Sequence, residues 1–163
     1  MMKNFKRAAS IALAALLVAV LLCACGGGSG KDVAASELAS AVGAAIGKTE
    51  TLAENDGTFL GLTGADAALL GDYRVLINRY GANIDEFGVF HAAKDGKSAG
   101  ELKTLAEAYL ARRLQIWMDE YMPEEKPKLE NAEVRASGDY VIYCVLSDTD
   151  KSAAFEAFEK AVK

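Results

Sequence analysis

Histidine is almost missing from this chain: His91 is the only one in 163 residues. That excludes metal sites built on several histidines and leaves any Ser-His-Asp scheme with a single base. The G-x-S-x-G elbow of many hydrolases is also missing. Proline is nearly as scarce, with Pro123 and Pro127 together in the polar stretch "MPEEKPKLEN". Basic residues number 18 against 23 acids and nowhere form a cluster, so nucleic acid is not an expected partner. Cysteine occurs three times, at Cys23, Cys25 and Cys144. Outside residues 8–22 no long apolar run occurs.

That run has a clear context. "MMKNFKR" carries Lys3, Lys6 and Arg7 and no acid, and "AASIALAALLVAVLL" follows it, apolar apart from Ser10. A positive leader, an apolar core and small residues before a cut site mark a secretory signal. Counted through Cys25, the apolar stretch has 18 residues, near the lower limit for a membrane span, so length alone leaves both readings open. "LCAC", Leu22 to Cys25, resembles the lipobox of bacterial lipoproteins. The resemblance implies cleavage between Ala24 and Cys25 and a diacylglyceryl thioether on Cys25. Two acyl chains give stable anchoring where one is marginal. Residues 1–24 are thus expected to be a signal peptide, 25–31 a lipidated Cys with a Gly/Ser tether, and 32–163 a single domain. The stretch does not fit a phosphate loop, because Cys25 stands at the first Gly position and Asp32 follows Lys31.

Without the leader's three bases the rest carries about −8, being 15 bases against 23 acids. Only Cys144 then remains as a thiol, in "YVIYCVL", a run that would bury it.

Along that remainder, "KDVAASELASAVGAAIG" spaces Val33, Leu38, Val42 and Ile46 as a helix ending at Gly47. A short strand is expected around Thr49–Ala53, then a turn at Asn55-Asp56-Gly57. Thr63, with Asp66 three residues on, predicts the cap of a short helix stopped by Gly71. "DYRVLINRY" and "IDEFGVFHAA" read as a β-hairpin, with Phe87, Val89 and His91 on one face. Ser98 and Glu101 form a capping box for a helix over about 99–122, whose stripe is Leu102, Leu105, Ala106, Tyr109, Leu110, Ile116 and Trp117, with Pro123 as its stop. "AEVRA" predicts a half-exposed strand. "YVIYCVLS" is apolar on both faces and predicts the central strand. Ser147 and Asp148 cap a last helix that turns Phe155, Phe158 and Val162 inward. The expected fold class is α+β: a mainly antiparallel sheet of about four strands, the long and C-terminal helices packed on one face, and an N-terminal helix before them.

"DEFGVFHAAKDGK", the long helix ending "WMDEYMP", and "LENAEVRASGDYVIYCVLSD" before a Phe-bearing helix resemble a Gram-positive bacterial lipoprotein family. That family carries the domain of unknown function 4358, and the resemblance covers roughly residues 31–160. It implies an extracytoplasmic anchored protein and brings no catalytic or binding residues with it.

Few residues offer chemistry of their own. His91 fits a core or edge position. Arg113 falls inside the stripe of the long helix. Either its stem packs while its head meets an acid such as Glu120 or Asp85, or it binds an anion in a groove with Tyr109 and Trp117. Tyr80, Tyr121, Tyr140 and Tyr143 are further groove candidates, though aromatics at these periods usually form core. Asp85 and Glu86 are adjacent, so on a strand they face opposite ways, and at a hairpin turn they are expected to be solvated. "DTD" at 148–150 lacks the other ligands of a calcium loop and reads as a cap. No metal and no cofactor are expected. The expected function is a non-enzymatic interaction or accessory module, held by lipid on the extracytoplasmic face of the cell membrane, with an envelope protein as partner. The alternative is a binding module for a small anionic or envelope-derived ligand.

Overall fold

A computed structural model describes residues 32–163 apart from Ala82. The expected signal peptide, lipobox with Cys25 and tether lie outside the described residues. No described helix is long and apolar enough to cross a membrane.

The chain enters α1 (Ala35–Ala45), where Leu38 and Val42 are fully buried, and leaves through Gly47 at φ +65°. The start of α1 is tied down twice: the Val33 N–H donates to the Tyr140 hydroxyl and the Ala35 N–H to Asp72 Oδ2, at 2.8 and 2.7 Å. Strand β1 (Leu52–Glu54) leads directly into α2 (Asp56–Thr63). The expected turn at Asn55-Asp56-Gly57 is therefore the first turn of a helix. Two glycines weaken α2, but its Phe59 is fully buried against the rings of Phe90, Tyr109 and Tyr143, and that burial outweighs local propensity. Thr63 closes α2 by donating to the Phe59 carbonyl at 2.7 Å, so it does not cap the next element. Asp66 caps that element, a 3₁₀ turn at Ala67–Leu69.

Strands β2 (Asp72–Asn78) and β3 (Glu86–His91) form the expected hairpin. Helix α3 (Ala99–Gln115) starts at the Ser98/Glu101 capping box. It ends well before Pro123. At 1.5 Å per residue its 17 residues reach about 26 Å, and they pack mainly along the last two strands of the chain. Beyond the helix, Met122 at φ +47° turns the chain back into α4 (Lys126–Glu130). Strands β4 (Glu133–Ser137) and β5 (Tyr140–Val145) and helix α5 (Asp148–Val162), capped by Ser147, complete the fold.

The sheet is antiparallel throughout, in the order β1-β2-β3-β5-β4. The α+β class and the antiparallel sheet are as expected, with β1 as a fifth strand. The middle strand is β3, with β5 beside it. The helices do not share a face. Helices α1 and α5 cover Phe87, Val89, Ile142 and Cys144, while α2 and α3 cover Val75, Phe90, Val141, Tyr143 and Val145. The cause lies in β3 and β5, which are apolar on both sides and so require a helical layer on each.

Candidate functional site

Between the sheet and α3 lies a carboxylate with no exposure to water. Glu86 opens β3, and its alternation places it on the α3 side with Gly88 and Phe90. Its Oε1 accepts the hydroxyls of Tyr109, at 2.6 Å, and Tyr143, at 2.5 Å. Its Oε2 accepts from the Arg113 guanidinium. Tyr109 and Arg113 are four residues apart and so share one side of α3; the guanidinium also lies 5.9 Å from the Tyr109 ring centre.

A glycine makes this assembly fit. Gly88 faces Tyr143 in the β3–β5 register, and a Cβ there would stand 2.2 Å from the tyrosine ring. Only a bare backbone lets that ring lie across β3 and bring its hydroxyl to Glu86, one i+2 step away.

The protonation states follow from the geometry. Burial first, then the charge of Glu86, raises the pKa of both tyrosines well above the ordinary value, so both hydroxyls stay protonated donors. Burial alone would favour neutral Arg113, yet Glu86 and the two tyrosines hold its pKa up and the guanidinium keeps its charge. A carboxylate with both oxygens engaged and tyrosines locked as donors make a poor acid–base set. Their evident work is to pin the last buried turn of α3 to the sheet.

Asp85 points the other way, as alternation requires, but it is buried rather than solvated. Lys48 and Lys128 reach it at 2.7 and 2.8 Å; Lys48 also meets Asp150, and Lys128 meets Glu125. The Asp85 hydrogen bond raises the Lys48 pKa. Burial works against Lys128, whose pKa is nonetheless raised by Asp85 and Glu125. Sequence reasoning missed both buried acids. The available signal was apolar sequence on either side of an acid pair, with Gly88 two residues on.

Arg113 and Tyr109 thus come together, but with Glu86 as the acid in place of Glu120 or Asp85. Trp117 makes no hydrogen bond to either: its buried Nε1–H has no partner among the described residues. Its ring lies 5.8 Å from that of Tyr121. The tyrosines line no common groove, since Tyr80 and Tyr121 are exposed and Tyr140 stacks on His91 at 4.2 Å on the opposite face. His91 is partly buried there, 3.8 Å from Asp32. Cys144 is fully buried, and burial raises its thiol pKa far out of the reactive range. No group of three or more potential metal ligands occurs among the described residues.

Past Arg113 the surface changes character. Leu114, Ile116, Met118 and Tyr121 are 39, 49, 66 and 53% exposed. Ile116, expected in the buried stripe, therefore faces solvent.

The family model described as "Domain of unknown function (DUF4358)" matches residues 62–146, just over half of the chain. The chain belongs to the DUF4358 family. Glu86, Gly88, Tyr109, Arg113 and Tyr143 all fall inside the matched stretch, as does the exposed segment, whereas α1, β1 and α5 fall outside it. The DUF4358 match thus covers β2 through β5, the part of the sheet that carries the buried carboxylate. No curated protein and no solved structure is detectably similar to the chain.

Proposed function

We propose that this DUF4358 protein is a lipid-anchored lipoprotein on the extracytoplasmic face of a Gram-positive cell membrane, where it acts as a non-enzymatic docking module for an envelope protein. The observation that carries the docking role is the crowding of exposed apolar groups. Four of the six exposed large hydrophobic side chains among the described residues fall between Leu114 and Tyr121. Scattered exposed hydrophobics are ordinary, whereas a contiguous set marks an interaction surface.

Charge narrows the partner. Residues 114–125, "LQIWMDEYMPEE", hold four acids and no base. Lys126 meets Asp119 at 2.6 Å and Lys128 meets Glu125 at 2.7 Å, while Glu120 and Glu124 stand exposed. Such a segment is repelled by an anionic membrane surface and complements a protein surface that is apolar with basic flanks. The Glu86 cluster supports this reading, because it fixes Arg113, the residue from which the segment departs. The anchor reading rests on "LCAC" and the charged apolar leader.

Two variants test the two halves separately. Cys25→Ala should move the protein out of the membrane fraction and remove the mass of the lipid. Met118→Asp should leave the anchor intact and abolish co-purification of the envelope partner that the wild type retains. An anionic-ligand site at Arg113 draws less support, since Glu86 already meets the guanidinium.

A further inference from the structure

The sheet ends on an open strand. β4 pairs with β5 on one side only; its Glu133, Arg135 and Ala136 are exposed and its Val134 and Ser137 half-buried. Its outer backbone makes no hydrogen bond to another described residue. The β4–β5 connection is a two-residue turn, Gly138-Asp139, with Gly138 at φ +58° and Ser137 opposite Tyr140. The pair flanking such a turn exchanges both backbone hydrogen bonds, and the bonded positions alternate from there. Ser137, Arg135 and Glu133 therefore bond inward to β5, and Val134 and Ala136 turn their N–H and C=O groups outward.

Charged residues on an edge strand ordinarily guard it against pairing. Here their order matters more than their presence. Glu133 and Arg135 flank Val134 on the α5 side of the sheet, where Glu133 meets Lys151 at 3.1 Å and Arg135 lies 3.9 Å over the Phe155 ring. If a second β4 ran antiparallel about a two-fold axis at Val134, Glu133 of each copy would oppose Arg135 of the other. An axis at residue 133 or 135 would instead oppose like charges. A groove of about 360 Å³ between β4 and the end of α5, lined by Arg135, Ser137, Phe158 and Lys163, leaves room beside the strand.

We propose that two copies of this chain pair through β4, antiparallel and centred on Val134, joining their sheets into one. Outward backbone groups supply the hydrogen bonds, and the Glu-Val-Arg order sets the register.

Sedimentation of the full chain in non-ionic detergent tests this, with thermal melts showing that each variant stays folded. The wild type should form a reversible dimer. Val134→Pro removes an outward N–H that β5 does not use, and should leave a folded monomer. Arg135→Glu should weaken the dimer about tenfold or more, because both charge pairs become repulsive. The double exchange Glu133→Arg with Arg135→Glu is self-complementary again and should restore it. A wild type that stays monomeric at every concentration overturns the proposal. So does a dimer indifferent to Val134→Pro, or a charge exchange that fails to restore association.

Discussion

At residue scale, the fold depends on a glycine making room for a tyrosine. Gly88→Ala should push the Tyr143 ring off Glu86 and destabilise the protein by about 1–3 kcal/mol, as overpacking typically does. Denaturant melts of the variant check it. Glu86→Ala should cost more, about 3–5 kcal/mol, because it strands the Arg113 charge in a largely buried place. The same cluster predicts behaviour in alkali. The tyrosine pKa values are raised above 10.0 on folding, so the folded chain keeps protons that the unfolded chain releases. Their stabilisation is fully present below pH 10 and is lost as the pH rises above it. Tyr143→Phe should flatten that alkaline loss, as read by melts across the pH series. None of this was legible from Asp85-Glu86 alone. Alternation correctly sent the two acids to opposite faces, but burial depends on what the helices bring over them, and one sequence does not display that.

At element scale, local chemistry was legible wherever it was self-contained. The Ser98/Glu101 box, the Ser147 cap and the β2–β3 hairpin stand where residue patterns put them. Ser98→Ala should cost about 1 kcal/mol, measurable as a lowered melting temperature. What failed was decided by tertiary contacts. α2 forms despite Gly57 and Gly61 because Phe59 finds three aromatic rings. α3 stops at Gln115, well before Pro123, although Trp117 still packs on the second core. Apolar residues beyond that point continued the helical period, and periodicity does not distinguish a stripe that is covered from one that overhangs.

On the scale of the whole molecule, the two apolar sides of β3 and β5 create two cores, and the division of helices between them follows. One core holds α1 and α5, which lie outside the DUF4358 match; the other holds α3 and the buried carboxylate, inside it. The exposed segment leaves from the second core. The central claim is that Leu114–Tyr121 meets a protein partner in the envelope. Photocrosslinking from position 118 in intact cells tests it most directly, with exposed position 160 on α5 as the control. The account predicts one discrete protein adduct from 118 and none from 160. No adduct at 118, an adduct of lipid mass only, or equal labelling from both positions would contradict it.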